Sequence, residues 1–201
     1  MSGLSNSKYM MGEEKLGIFL YFVRTGATSR MLQERFQRSA DTISKSVHTV
    51  LECLVGAFYK KYVHLPLDQT TPEVKSNPKF YPYFRNCRGA IDGSHFYAWV
   101  AAEAAPQYRN RKGFLGRNVL AACNFVMLFI YILSGWEGSA SDSKIYEYAR
   151  ERDLAIPVGE YYLADAGFPL CDALLTPYCG VRYHLKEWGT ANQKYVSKIE
   201  L

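Results

Sequence analysis

Hydrophobic residues near the N-terminus recur at three- and four-residue steps, the spacing of helices with one buried face. The first predicted helix starts at Glu13 and ends at Gly26, the second is capped by Thr28 or Ser29, and the third covers residues 41–59. The predicted buried stripes are Leu16, Phe19, Leu20 and Val23 in the first helix and Ile43, Val47, Val50, Leu51, Leu54 and Phe58 in the third. A short helix, a tight turn and a longer helix form the order of a helix-turn-helix, although a plain three-helix bundle explains the pattern equally well.

The hydrophobic pattern changes after residue 62. Prolines at 66, 72, 78 and 82 predict an irregular linker that sustains neither a helix nor a central strand. Short apolar runs then predict strands that end near Asp92 and that cover residues 118–125, 129–135, 161–164 and 181–185, with a helix at 143–152 capped by Ser141 or Asp142. We therefore predict an α/β fold, with a helical domain at 13–62, a linker at 63–84 and an RNase H-like mixed sheet in 85–201.

Two aspartates occupy matching positions in this strand pattern. Asp92 lies in Gly89-Ala90-Ile91-Asp92-Gly93-Ser94-His95 and Asp165 in Tyr161-Tyr162-Leu163-Ala164-Asp165-Ala166-Gly167, each where an apolar strand gives way to a glycine turn. Two such strands side by side would bring both carboxylates within reach of shared divalent cations. This predicts metal-dependent cutting of phosphodiester bonds, although an Asp-Gly pair after an apolar run is also a common turn.

Charge and composition fit a globular protein with a nucleic-acid partner. The 201 residues are 48% hydrophobic and carry a formal charge of +5. The candidate DNA-binding residues fall into two clusters, Arg30, Arg35, Arg38 and Lys45 near the N-terminus and Arg109, Arg111, Lys112 and Arg117 after the first aspartate. Solvated surface charge explains each cluster equally well when it is considered alone.

Cysteine usage and hydropathy argue against export, a membrane span and a zinc module. The five cysteines include no C-x-x-C pair, which favours reduced thiols inside a cell. The spacings of Cys171, Cys179 and His184 match no common zinc module. The apolar run from Val119 to Leu133 is shorter than the roughly 20 residues of a membrane helix, and the N-terminus does not resemble a secretory signal.

Several segments together resemble the Harbinger family of DDE transposases and the nucleases derived from them. Besides the two aspartate segments, the matching stretches are Asn118 to Phe125, Gly135 to Ser143 and Gly180 to Leu185, in the family's order and spacing. The segment from Arg35 to Ser44 resembles the helical region that precedes the catalytic domain in this family.

The resemblance implies an RNase H-like nuclease that acts on DNA in the nucleus, in some cases with a separate DNA-binding partner protein. Asp92 and Asp165 match the first two acidic ligands of its paired Mg²⁺ or Mn²⁺ ions. Asp142 matches another recurrent acidic position, which we interpret first as a helix cap and second as a metal ligand. His95 fits either an orienting role at the site or a structural role.

The C-terminal stretch departs from the family pattern. The third acidic ligand in the family is a glutamate well beyond the second aspartate, and neither Glu187 nor Glu200 has its context. The nuclease domain is therefore expected to lack its C-terminal part, as a truncated gene model, a decayed copy or a domesticated protein would. An active endonuclease, a non-catalytic DNA or chromatin adaptor and an unstable remnant are the functional alternatives.

Overall fold

The computed structural model describes residues 4–65 and 70–178, which divide into two compact units. The first unit comprises Met1–Leu67 with Met127–Ile132, and the second comprises Asp68–Val126 with Leu133–Leu201. In the described part of the chain, no helix has the length and apolar character needed to cross a membrane.

The first unit is built from helices whose ends have sequence-encoded caps. Helix α1 ends at Gly26, which adopts the left-handed conformation with φ 63°, and Thr28 and Ser39 cap α2 and α3 by accepting bonds from backbone amides. A π-helical segment separates α3 from a last short helix, α4. The helices are α1 (Gly12–Thr25), α2 (Ser29–Phe36), α3 (Ala40–Cys53) and α4 (Tyr59–Tyr62), with the π-helical segment at Leu54–Phe58.

The buried face of α1 differs from the predicted stripe. Ile18 is fully buried and Phe19 nearly so, whereas Leu20 and Val23 are 53% and 57% exposed. Apolar residues extend around most of this helix, so spacing alone does not select one face; contacts with α2 and α3 select the face that contains Ile18. The core of the unit consists of Met10, Ile18, Ala27, Leu32 and Ile43.

The predicted stripe of the third helix is also only partly buried. Ile43 and Val50 are buried, whereas Leu51 and Phe58 are exposed. The change to π-helical geometry after Cys53 alters the angular spacing of residues, so a 3.6-residue period cannot extend to Phe58.

One helical turn occurs where the sequence predicted none. Helix α5 (Pro72–Lys75) begins with its proline, a position where the missing amide hydrogen costs no hydrogen bond. Later in the linker, the Phe80 ring packs against Phe84 and Phe125, with centroids 5.9 Å and 5.8 Å away. Tyr81 and Tyr83 are exposed.

The strands form a five-stranded mixed sheet in the order β3-β2-β1-β4-β5. Strand β1 pairs antiparallel with β2 and parallel with β4, and β5 is parallel to β4. The strands are β1 (Cys87–Tyr97), β2 (Gly116–Cys123), β3 (Phe129–Glu137), β4 (Tyr161–Leu163) and β5 (Leu174–Leu175), with helices α6 (Ala105–Tyr108) and α7 (Asp142–Arg152) between them. The predicted α/β class is confirmed, while the strand predicted at 181–185 lies outside the described residues.

The two faces of the sheet differ in burial. One face is packed, with buried Ile91 in β1, Leu120 in β2 and Tyr162 in β4, and α7 contacts β2. The opposite face of β1 carries Asp92 and Phe96, which are exposed. The fold therefore fixes the aspartate-bearing strand from one side and presents Asp92 to solvent on the other.

Candidate active site

Asp92 and Asp165 are brought together by the parallel pairing of β1 with β4. Ala90 lies beside Leu163 in this pairing, and each aspartate is two residues further along the chain. Because the strands are parallel, the chain runs in the same direction toward both aspartates, with Asp92 inside β1 and Asp165 just after the end of β4. The neighbouring parallel strands agree with the sequence interpretation, and cation binding by the two aspartates stays a prediction.

The glycines after the two aspartates differ in structure. Gly167 lies in a turn, and its amide donates to Asp165 Oδ1 at 2.8 Å. Gly93 does not end its strand, since β1 continues to Tyr97, so the predicted turn after Asp92 is wrong. The Gly93 amide donates to Asp92 Oδ1 at 2.7 Å.

A close approach explains the glycine at position 93. A Cβ atom there would lie 1.9 Å from Asp142 Oδ1, which no side chain could tolerate without a shift of Asp142. Asn118 Nδ2 donates to the same oxygen at 2.8 Å and to the Ala140 carbonyl at 3.1 Å. Asp142 is therefore packed directly against the strand that carries Asp92.

Asp142 does not cap α7. Ser141 is the N-cap, with its hydroxyl accepting from the Lys144 amide, and Asp142 is the first residue of the helix. Of the two cap candidates the serine is confirmed and the aspartate is wrong. The physical reason is that the Asp142 carboxylate is held by Asn118 and turned toward Gly93.

Asn118 and Ser143 lie at the site, and the sequence interpretation assigned no role to either residue. Asn118 is fully buried in β2, and Ser143 Oγ donates to the Gly167 carbonyl at 2.6 Å, which ties the start of α7 to the loop after Asp165. The sequence could have indicated that Asn118 is buried, because it lies two residues before Leu120 and so shares the packed face of β2. A buried polar residue at such a position needs a hydrogen-bond partner, and here it finds Asp142.

The electrostatics of the cluster act on Asp92. Partial shielding of its carboxyl group from water raises the pKa of Asp92, and the negative charges of Asp165 and Asp142 raise it further. The hydrogen bond from the Gly93 amide opposes this shift by stabilising the carboxylate. The negative charges of Asp165 and Asp142 thus disfavour the ionised form of Asp92, and a bound cation would favour it.

The carboxylates at this site meet part of the coordination requirement of a divalent cation such as Mg²⁺. Carboxylate oxygens are the ligands that Mg²⁺ and Mn²⁺ prefer, and both Asp92 and Asp165 are exposed to solvent. Within residues 4–65 and 70–178, however, no three His, Cys, Asp or Glu side chains form a ready metal-binding group. Glu187, Glu200 and His184 lie outside those residues.

His95 makes structural contacts. Its Nε2 lies 2.9 Å from the Gly138 carbonyl oxygen, and its ring packs edge-on against Phe114. Since it shares a face of β1 with Gly93, it points away from the face that carries Asp92. These contacts favour the structural interpretation of this histidine.

The basic residues after the first aspartate surround a hairpin. Arg111 and Lys112 are exposed at its tip, and Arg109 donates to the Gly113 carbonyl at 2.8 Å. Arg117, in β2, lies with its guanidinium carbon 5.8 Å from the centroid of the Tyr108 ring. All four residues are exposed, so their side chains can contact a phosphate backbone.

The N-terminal basic cluster lies on the helices of the first unit, and part of it is engaged in ion pairs. Arg38 forms a bidentate pair with Glu14 at 2.8 and 3.1 Å, which raises the pKa of Arg38, and Lys45 pairs with Asp41 at 2.7 Å. Arg35 stacks over the Tyr21 ring, while Arg30 is exposed on α2. The structure therefore assigns Arg38 a role in holding the helices together, which its sequence position did not indicate.

In the described part of the chain, Cys53, Cys87, Cys123 and Cys171 form no disulfide. Burial raises the pKa of Cys87. Cys179, together with His184, lies outside the described residues.

One relative extends along most of this chain. A protein described as "Protein ALP1-like" from Arabidopsis thaliana is 24% identical over 196 residues, which cover 88% of this chain and 47% of the relative. The chain thus spans about half the length of that relative. No solved structure matches the chain.

Two family models match successive parts of the sequence. Residues 1–56 match a domain family of unknown function, DUF8040, which covers the helices α1 to α3. Residues 91–199, more than half of the chain, match the DDE superfamily endonuclease family, and this match contains Asp92, Asp142 and Asp165. With its mixed sheet, its paired aspartates and this match, the chain belongs to the DDE superfamily of endonucleases.

Proposed function

We propose that this chain is the nuclease part of a Harbinger-type, transposase-derived endonuclease that cuts DNA phosphodiester bonds with Mg²⁺ or Mn²⁺ held by Asp92 and Asp165. The observation that supports the proposal is the parallel pairing of β1 with β4, which places Ala90 beside Leu163, two residues before Asp92 and Asp165 respectively. The Harbinger assignment is supported by the order and spacing of five matching segments.

The chain's own residues would create and hold the cation site. Asp92 and Asp165 supply negatively charged oxygens, and the raised pKa of Asp92 would fall again once a cation neutralised its neighbours. Asp142 packs against Gly93 and Ser143 holds the Gly167 loop, so both act as positioning residues for the two ligands. A bound divalent cation would supply Lewis acidity, activating a water or 3′-hydroxyl and stabilising the leaving oxygen.

The exposed basic residues of each unit would bind the DNA backbone. Arg109, Arg111, Lys112 and Arg117 are candidates in the nuclease unit, and Arg30 and Arg35 in the helical unit. Arg38 and Lys45 would contribute less, because they already pair with Glu14 and Asp41. Action in the nucleus, with a separate DNA-binding partner protein, completes the proposal.

A plasmid-nicking assay with Mg²⁺ or Mn²⁺ tests the proposal. We expect wild-type protein to nick supercoiled DNA, and Asp92→Asn and Asp165→Asn to lower the rate by about 100-fold or more. Asparagine is the sharpest replacement because its Oδ1 can still accept the bonds from Gly93 and Gly167. Asp172→Asn, which removes an exposed carboxylate of the same unit, should nick at the wild-type rate.

Two results would contradict the nuclease proposal. The first is nicking by both aspartate variants at the wild-type rate. The second is a folded wild-type protein that binds DNA without nicking it under any divalent cation, which would favour a DNA-binding adaptor instead.

A further inference from the structure

The end of the β1–β2 hairpin exposes an unusual set of aromatic side chains. Phe96, Tyr97 and Trp99 are 59%, 83% and 104% exposed, although each could bury a large apolar area. Tyr97 stacks on Phe114 with ring centroids 4.4 Å apart, which leaves Phe96 and Trp99 without a ring partner of that kind among the described residues. Large exposed aromatic side chains are typical of binding surfaces.

The hairpin beyond these aromatic residues has an ordered, basic tip. Pairing of β1 with β2 continues through a bond from the Ala98 amide to the Leu115 carbonyl. At the tip, buried Asn110 accepts from the amides of Lys112 and Phe114 through its side chain. This turn places Arg111 and Lys112 on a fixed support, so their charges have a defined position relative to the strands.

Among the three exposed aromatic residues, Phe96 shares a sheet face with Asp92. Asp92, Ser94 and Phe96 alternate along β1, and Phe96 lies directly across from Arg117 in β2. At about 3.3 Å per residue, Phe96 lies roughly 13 Å along the strand from Asp92. A DNA strand that entered at the basic tip could therefore pass Phe96 on its way to the carboxylates.

The chemistry of this surface fits unpaired nucleotides better than duplex. Between residues 98 and 117 the basic residues are Arg109, Arg111, Lys112 and Arg117, against a single acidic residue, Glu103. Phosphates complement these charges, while the flat faces of Phe96 and Trp99 can stack only with bases that have left a duplex. A duplex interior keeps its base faces covered by neighbouring pairs.

We propose that the hairpin end binds unpaired nucleotides of a DNA substrate, with bases stacked on Phe96 and Trp99 and phosphates held by the four basic residues. This inference rests on the proposed function, since it assigns the substrate of the same nuclease unit. The occupant is single-stranded DNA, as in an overhang, a gap or an opened end.

Fluorescence anisotropy with a labelled 20-nucleotide oligo-dT and a 20-base-pair duplex, both in EDTA, tests this inference in the full chain. We expect Trp99→Ala and Phe96→Ala each to weaken single-strand binding by about fivefold or more and duplex binding by less than twofold. Trp99→Phe should retain most of the single-strand affinity because it keeps an aromatic face. Tyr83→Ala, which removes an aromatic residue that is 77% exposed on the linker, should change neither affinity by more than twofold.

The assay separates this inference from the nuclease proposal, because EDTA removes the metal and the measured quantity is DNA binding without cleavage. Single-strand binding by Trp99→Ala and Phe96→Ala at wild-type affinity would overturn the inference even if the aspartate variants fail to nick. Equal losses on duplex and single strand would also overturn it. A selective single-strand loss supports it whether or not the wild-type protein cuts DNA.

Discussion

At the residue scale, the identity of position 93 is tied to that of position 142. Gly93 leaves space that the Asp142 carboxylate fills, and Asn118 holds that carboxylate in place from β2. The three residues come from β1, α7 and β2, so the packing is a property of the folded site and not of any one segment.

Gly93→Ala should therefore destabilise the nuclease unit by about 1–3 kcal/mol, the usual cost of forcing an extra group into a packed site. Thermal or urea denaturation measures this change. The matched control is the double variant Gly93→Ala with Asp142→Ala, where the added methyl has room. If the double variant loses as much stability as the two single variants combined, the Gly93–Asp142 contact does not cause the effect.

The raised pKa of Asp92 gives a pH-dependent prediction. The pKa of Asp92 is higher in the folded protein than in the unfolded protein, where it is about 3.9. Ionisation of this group therefore lowers the stability of the fold as the pH rises from the unfolded pKa to the folded pKa. Asp92→Asn should therefore raise Tm at pH 7 in the absence of divalent cations, and this gain should vanish at a pH below the unfolded value. A lower Tm for Asp92→Asn at pH 7 would contradict this electrostatic account, with Asp172→Asn as the control for a general effect of charge removal.

At the scale of elements, the site depends on how β1 and β4 are held in register. Arg88, in β1, is buried and forms a bidentate ion pair with Glu160, which directly precedes β4. This pair joins the two strands near their start, on the approach to Asp92 and Asp165.

Glu160→Ala should destabilise the unit by about 3–5 kcal/mol, because it removes the carboxylate that compensates the buried Arg88 charge. The free energy of unfolding from urea titration measures the loss. Glu147→Ala, which removes an exposed glutamate from α7, is the control and should change stability by less than about 0.5 kcal/mol. A loss below about 1 kcal/mol for Glu160→Ala would show that the pair does not hold these strands.

At the scale of the whole molecule, the elements were largely predictable because they depend on local signals. Glycine and hydroxyl caps marked the helix ends at Gly26, Thr28 and Ser141, and apolar runs marked the strands. The parallel pairing of β1 with β4 brings together the two segments that the sequence singled out, although β1 continues to Tyr97 instead of ending at Asp92.

The features that were not predictable depend on contacts between distant parts of the chain. The buried face of α1, the role of Arg38 toward Glu14 and the Asn118–Asp142 bond are all set by tertiary packing, which a local hydrophobic period does not encode. The glycine at 93 was misinterpreted for the same reason, since here it permits the close approach of Asp142 and does not mark a turn.

Calorimetric titration of Mn²⁺ into purified protein tests the central claim, that Asp92 and Asp165 together hold a divalent cation. The account predicts saturable binding to wild type and to Asp172→Asn, with binding lost in both Asp92→Asn and Asp165→Asn while their circular dichroism spectra stay unchanged. Equal Mn²⁺ binding by wild type and the two aspartate variants, or no binding by folded wild type, would contradict it.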